Sequence, residues 1–148
     1  MKILVLSDNF MPISNAERVA YLMTKEYVDL GHEVIVITSN DKLRNGEVKQ
    51  ISFNNILIYQ IGSSYNRYLR PYFSLYNPWV LRSIKMIMKG NQFDFAHVHN
   101  IHTHISYAVI SILDRLGVKQ IMTAHDYMSI DYGKFTQGIN PNDLTENP

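Results

Sequence analysis

The sequence predicts an α/β protein built on an open, mostly parallel sheet flanked by helices. Two short apolar runs, Ile3-Leu4-Val5-Leu6 and Val34-Ile35-Val36-Ile37, lack polar alternation, which suits parallel strands covered on both faces. A helical stretch closed by Gly31 lies between them, so strand, helix and strand fit into about forty residues, the size of a parallel crossover unit. A second strand, helix, strand succession spans Asp94 to Thr123, and such alternation is the signature of a layered α/β sheet.

The elements follow in order. Lys2 to Ser7 is the first strand, and Asp8 to Asn15 is a turn in which Met11-Pro12 disfavours helix. Ala16, Val19, Ala20, Met23, Tyr27 and Leu30 then fall on one helical face, with Gly31 as the left-handed stop before a strand from Glu33 to Thr38. Glu47 to Phe53 and Ile56 to Ile61 read as two strands around an Asn54-Asn55 hairpin turn. Ser63 to Asn77, rich in Tyr, Arg and Ser, is expected to be a loop with one short helix. Pro78 opens a helix carrying Val80, Ile84, Ile87 and Met88 that stops at Gly90. Asp94 to Val98 is a strand. Ile105, Ala108, Val109, Ile112, Leu113 and Leu116 trace an amphipathic helix closed by Gly117, and Lys119 to Thr123 returns as a strand. One domain is expected over residues 1–132, followed by an irregular tail, Gly133 to Pro148, without a periodic apolar face.

Composition narrows the function classes. At 148 residues and 46% hydrophobic the chain can bury a real core, and a net charge of only +1 argues against a nucleic-acid partner. Cysteine is absent, which excludes disulfides, thiolate metal sites and cysteine nucleophiles and fits a cytoplasmic setting. Ser7 and Asp8 interrupt the first apolar run too soon for a secretory or membrane-spanning segment. No Gly-x-Ser-x-Gly elbow, Walker loop or Gly-x-Gly-x-x-Gly fingerprint is present, so nucleophilic hydrolysis and a free dinucleotide site have no support.

In open parallel sheets, ligands bind outside the carboxyl ends of the strands. Here those ends read Asp8-Asn9, Ser39-Asn40, His99-Asn100 and His125-Asp126, four polar pairs expected on one rim. Any one of them could be ordinary loop polarity; their convergence is what points to a site.

Met1 to Asn40, with Ala16-Glu17-Arg18 and Leu30-Gly31-His32-Glu33-Val34-Ile35-Val36-Ile37-Thr38-Ser39, resembles the opening of glycosyltransferase family 4. Phe93-Asp94-Phe95-Ala96-His97-Val98-His99-Asn100 and Ile121-Met122-Thr123-Ala124-His125-Asp126 resemble later motifs of that family, so the likeness extends from Met1 to about Met128. The resemblance implies the Rossmann-like N-terminal half of a GT-B architecture. It implies retaining transfer of a sugar from a nucleotide-activated donor to a carbohydrate or lipid-linked acceptor, with no metal or other cofactor. It places His125 at the reacting centre, in a polar rather than a covalent role. Asp8, Asn9, His99, Asn100 and Asp126 fall to the acceptor side or the cleft, although Asp126 could instead cap the following turn. Ser14, Asn15 and Glu17 fall to a donor-phosphate loop, where helix amides suit an anion. Family members commonly carry two glycines where Ser14 and Asn15 stand, so side chains here crowd that approach. The family's C-terminal nucleotide-sugar domain has no counterpart in this chain, and the isolated chain is therefore expected to be inactive.

Two other readings stand beside this one. His97, His99, His102 and His104 fall within eight positions, and His97 and His99, two apart on a strand, could ligate one metal in a hydrolase, though no carboxylate with ligand spacing accompanies them. Alternatively the chain is a stand-alone Rossmann-like binding module. Tyr65, Arg67, Tyr68, Arg70, Tyr72, Phe73, Tyr76, Trp79, Arg82 and Lys85 mix aromatic and basic side chains in a way that suits a sugar platform or peripheral contact at the inner face of a membrane.

Overall fold

The structure, a computed structural model, describes residues 1–11 and 15–125. The order is β1 (Lys2–Leu6), α1 (Asn15–Asp29), β2 (Glu33–Asn40), β3 (Val48–Phe53), β4 (Ile56–Gly62), a 3-10 turn (Arg67–Leu69), α2 (Arg70–Leu75), α3 (Pro78–Lys89), β5 (Phe95–Val98), α4 (Ala108–Arg115) and β6 (Lys119–Met122). The strands form one six-stranded sheet in the order β3-β4-β2-β1-β5-β6, and every pair is parallel except β3 with β4. The predicted α/β, Rossmann-like, mostly parallel sheet is thus the observed fold.

The apolar runs become central strands because both faces of the sheet are covered. Ile3, Val5, Val34, Val36 and Ile58 pack beneath α1 with Ala20, Tyr21 and Tyr27. Leu4, Leu6, Ile35, Ile37 and Ile61 pack on the other side with Val80 and Ile84 of α3 and Leu113 of α4. The β3–β4 hairpin turns on Asn54 and Asn55 at φ 48° and 64°, the pair of positive angles a type I′ turn requires. Gly31 and Gly117 take φ 80° and 70° just past their helices, and Asn77 caps α3 by accepting from the Val80 amide.

Two expectations are corrected. The helix after β5 does not include Ile105. It begins at Ala108, because Ile105 and its two predecessors give their amides to a distant carboxylate and Ser106 sits at φ 78°. The buried face of α1 is also rotated. Val19 and Leu30 are exposed, while Thr24 is fully buried and returns its hydroxyl to the Ala20 carbonyl at 2.8 Å, so a polar residue fills an apolar position without an unmet bond. The predicted tail, Gly133 to Pro148, lies outside the described residues.

Candidate functional site

From β1 the chain runs outward through β2 to one edge of the sheet, then returns to β5 on the other side of β1. This reversal is a topological switch point, where diverging loops open a crevice at the carboxyl ends. A cleft of about 130 Å³ occurs there, lined by Ser7, Asp8 and Asn9 after β1, Asn100, His102 and Thr103 after β5, Ala16 and Glu17 of α1, and His125 after β6. A wider hollow of about 430 Å³ adjoins it, sharing Asn9 and Glu17 and reaching across Ser39 and Gln60 to Ile51 and Ile58.

Asp8 holds the rim together. Its carboxylate is buried and accepts three amides, from Thr103 at 2.6 Å, His104 at 2.9 Å and Ile105 at 2.7 Å. Its amide donates to the Asn100 carbonyl at 2.6 Å, and its own carbonyl accepts the Ser39 amide and hydroxyl and the Thr38 hydroxyl. Burial pushes the Asp8 carboxyl up, against the pull of the Ile105, His104 and Thr103 amides and the His104 imidazole. Asp8 therefore lines the cleft as the anchor of its wall, with both carboxylate oxygens committed to the main chain.

Three histidines form a second cluster. His97 is pinned from both sides, Nδ1 to the Tyr27 hydroxyl at 2.9 Å and Nε2 to the Thr123 hydroxyl at 2.7 Å. His99 lies against it with ring centroids 4.2 Å apart, and its Nδ1 meets His125 Nε2 at 3.0 Å. Burial, then the neighbouring rings of His97 and His125, hold His99 down to about 3, and burial and His125 lower His97 as well. Both rings are accordingly neutral at pH 7. His99 Nε2 is buried without a partner among the described residues.

The sequence placed Asn9, Asn100 and His125 at one rim and Glu17 in a donor-phosphate loop, and all four line one cleft. His99 instead stands behind His125, 1% exposed, where it meets a ring rather than solvent. The metal pairing of His97 with His99 meets an obstacle, since both ring nitrogens of His97 already serve hydroxyls; among the described residues no three potential ligands converge. Ser14, the Asn15 side chain and Asp126 lie outside the described residues. Sequence reasoning missed Ser7, His102 and Thr103 as lining residues. Ser7 was legible as the polar stop of the first apolar run, whereas Thr103 reaches the cleft only through the Asp8-bound turn.

The family model for Glycosyltransferase Family 4 matches residues 16–144. The chain belongs to glycosyltransferase family 4. Among solved structures, this family 4 domain resembles the one described as trehalose-6-phosphate from E. coli bound with UDP-2-fluoro glucose, at a TM-score of 0.52 and 13% identity over 84% of this chain. At that identity the likeness is one of fold, and the family 4 domain spans 32% of the other chain's length. No curated protein matches the sequence. No helix among the described residues is long and apolar enough to cross a membrane.

Proposed function

We propose that this chain is the acceptor-side half of a retaining glycosyltransferase that moves a sugar from a nucleotide-activated donor to a carbohydrate or lipid-linked acceptor in the cytoplasm. The observation that carries the proposal is His125 at the wall of a cleft at the sheet's switch point, backed by a buried, neutral histidine. A buried N–H without a partner is rarer and costlier than a buried acceptor without one. The His99 proton therefore sits on Nδ1 and is donated to His125 Nε2, leaving the unpartnered Nε2 as a bare acceptor. With Nε2 accepting from His99, His125 presents its N–H at Nδ1. It offers an N–H donor suited to a sugar oxygen or to negative charge growing on a leaving group, and not a nucleophile.

The fold neighbour's nucleotide-sugar ligand supports the donor class, and the 32% coverage of that chain supports a second domain as the opposite wall. Catalysis by positioning needs both walls, so the 148-residue chain alone should give no transfer. The donor diphosphate would meet the amides at the start of α1 beside Glu17. The acceptor would lie in the hollow toward Ser39 and Gln60. No metal takes part, and chelation should leave the rate unchanged.

The test uses the native-length polypeptide, recovered from the source cell with an antibody against this domain. Nucleoside diphosphate release from a panel of nucleotide sugars is followed for the wild type and His125→Gln. A loss in kcat of roughly a hundredfold or more is expected. Full activity in the variant, or transfer by the 148-residue chain alone, would refute the assignment.

A further inference from the structure

The chain as a whole carries a net charge of +1, yet between Glu47 and Asp94 it contains Lys49, Arg67, Arg70, Arg82, Lys85 and Lys89 and neither aspartate nor glutamate. The structure gathers most of these cations on one surface and sets large apolar side chains among them. The 3-10 turn and α2 expose Tyr68 (77%), Leu69, Tyr72 (73%), Leu75 (63%) and Tyr76 beside Arg67. The outward stripe of α3 continues with Trp79, Arg82, Lys85, Met86 and Lys89. The two parts are joined by Phe73 stacked on Trp79, with ring centroids 5.1 Å apart. Past α3 the stripe opens into a groove of about 330 Å³ whose floor is Met88, Ile112 and Leu116 and whose rim is Lys85, Lys89 and Arg115. Among the described residues none of these rim cations pairs with a carboxylate.

We propose that this surface docks on a bilayer containing anionic lipid. Clustered cations meet the headgroups, while tyrosine, tryptophan and leucine side chains enter the boundary of the acyl region, and stable attachment without a spanning helix requires both contributions. A nucleic acid would use the charge, but it offers nothing to Leu69, Leu75, Met86 or Leu116. The surface also borders the cleft: Arg70 Nη2 donates to the Thr103 hydroxyl at 3.4 Å, and the Tyr65 hydroxyl donates to the Thr103 carbonyl. Docking would therefore hold the cleft wall beside the membrane, where a lipid-linked acceptor would be presented.

Flotation of the 148-residue chain with phosphatidylcholine vesicles, with and without phosphatidylglycerol, tests this with no turnover required, so its outcome is separate from that of glycosyl transfer. The wild type should float with the anionic vesicles only and be released by high salt. Each cation near an anionic surface raises affinity about fivefold, so Arg82→Glu with Lys85→Glu and Lys89→Glu should lower partitioning by at least roughly a hundredfold. Tyr72→Ser with Leu75→Ser should weaken attachment while leaving the salt response intact. Circular dichroism melts establish that both variants, altered only at exposed positions, stay folded. The proposal is overturned if the wild type fails to float, floats equally with neutral vesicles, or partitions unchanged after charge reversal. Retention of DNA without flotation would overturn it in favour of a nucleic-acid surface.

Discussion

Acidification should weaken this domain through His99. An unfolded histidine titrates near 6.5, whereas burial and the rings of His97 and His125 hold His99 down to about 3. The native state thus requires the neutral ring. Because the folded value lies below the unfolded one, the stabilisation is fully present above about pH 6.5 and is lost progressively as pH falls toward 3. One proton taken up only on unfolding costs about 1.4 kcal/mol per pH unit, so moving from about pH 7.5 to about pH 4.5 removes roughly 2.7 kcal/mol. That is a large share of the roughly 5–15 kcal/mol by which a domain is held folded. Urea midpoints at the two pH values, read from the fluorescence of the single tryptophan, Trp79, measure the loss. His99→Gln removes the titrating ring while keeping an amide able to donate to His125. Asp8, pushed up by burial, shifts stability the opposite way, and its effect cancels between wild type and variant. The wild type should therefore lose roughly 2–3 kcal/mol more than His99→Gln over this interval. Equal losses would refute the claim that His99 is buried and neutral.

Two backbone features yield further predictions. A Cβ built on Gly62 would stand 1.8 Å from the Arg44 carbonyl oxygen, so Gly62→Ala must displace the turn before β3 and should cost about 3 kcal/mol in a thermal melt. An unchanged melting temperature would contradict the close approach. Asp8→Asn turns one acceptor oxygen into a donor facing main-chain amides and should cost about 2 kcal/mol or more. Hydrogen exchange at residues 103–105 should accelerate with it, and retained protection there would show that the turn stands without the carboxylate.

Local signals were enough for much of the fold. Unbroken apolar runs marked β1 and β2, Asn54-Asn55 marked the hairpin, and Pro78 and Gly90 bracketed α3 within a residue. What failed locally was decided at a distance. Ile105 fits the helical period, yet its amide bonds to Asp8, 97 residues earlier, and no window around Ile105 contains that information. The histidines show the same limit. The rim position of His125 followed from strand order, but the His99–His125 pairing depends on the β5–β6 register that sets Val98 beside Met122. The aromatic and basic surface lacked a helical period in the sequence because a 3-10 turn and two successive helices each contribute part of it.

The Asp8-bound turn separates the shape of the cleft wall from its chemistry. Because amides hold residues 103–105 in place, the wall's path is written in the main chain, while Ile105 is tied into the core and Thr103 stands at the cleft. Replacing Thr103 should change what the wall presents to the cleft without moving where the wall stands. A single aspartate just past the first strand thus fixes the frame of the cleft wall apart from the side chain that faces the cleft.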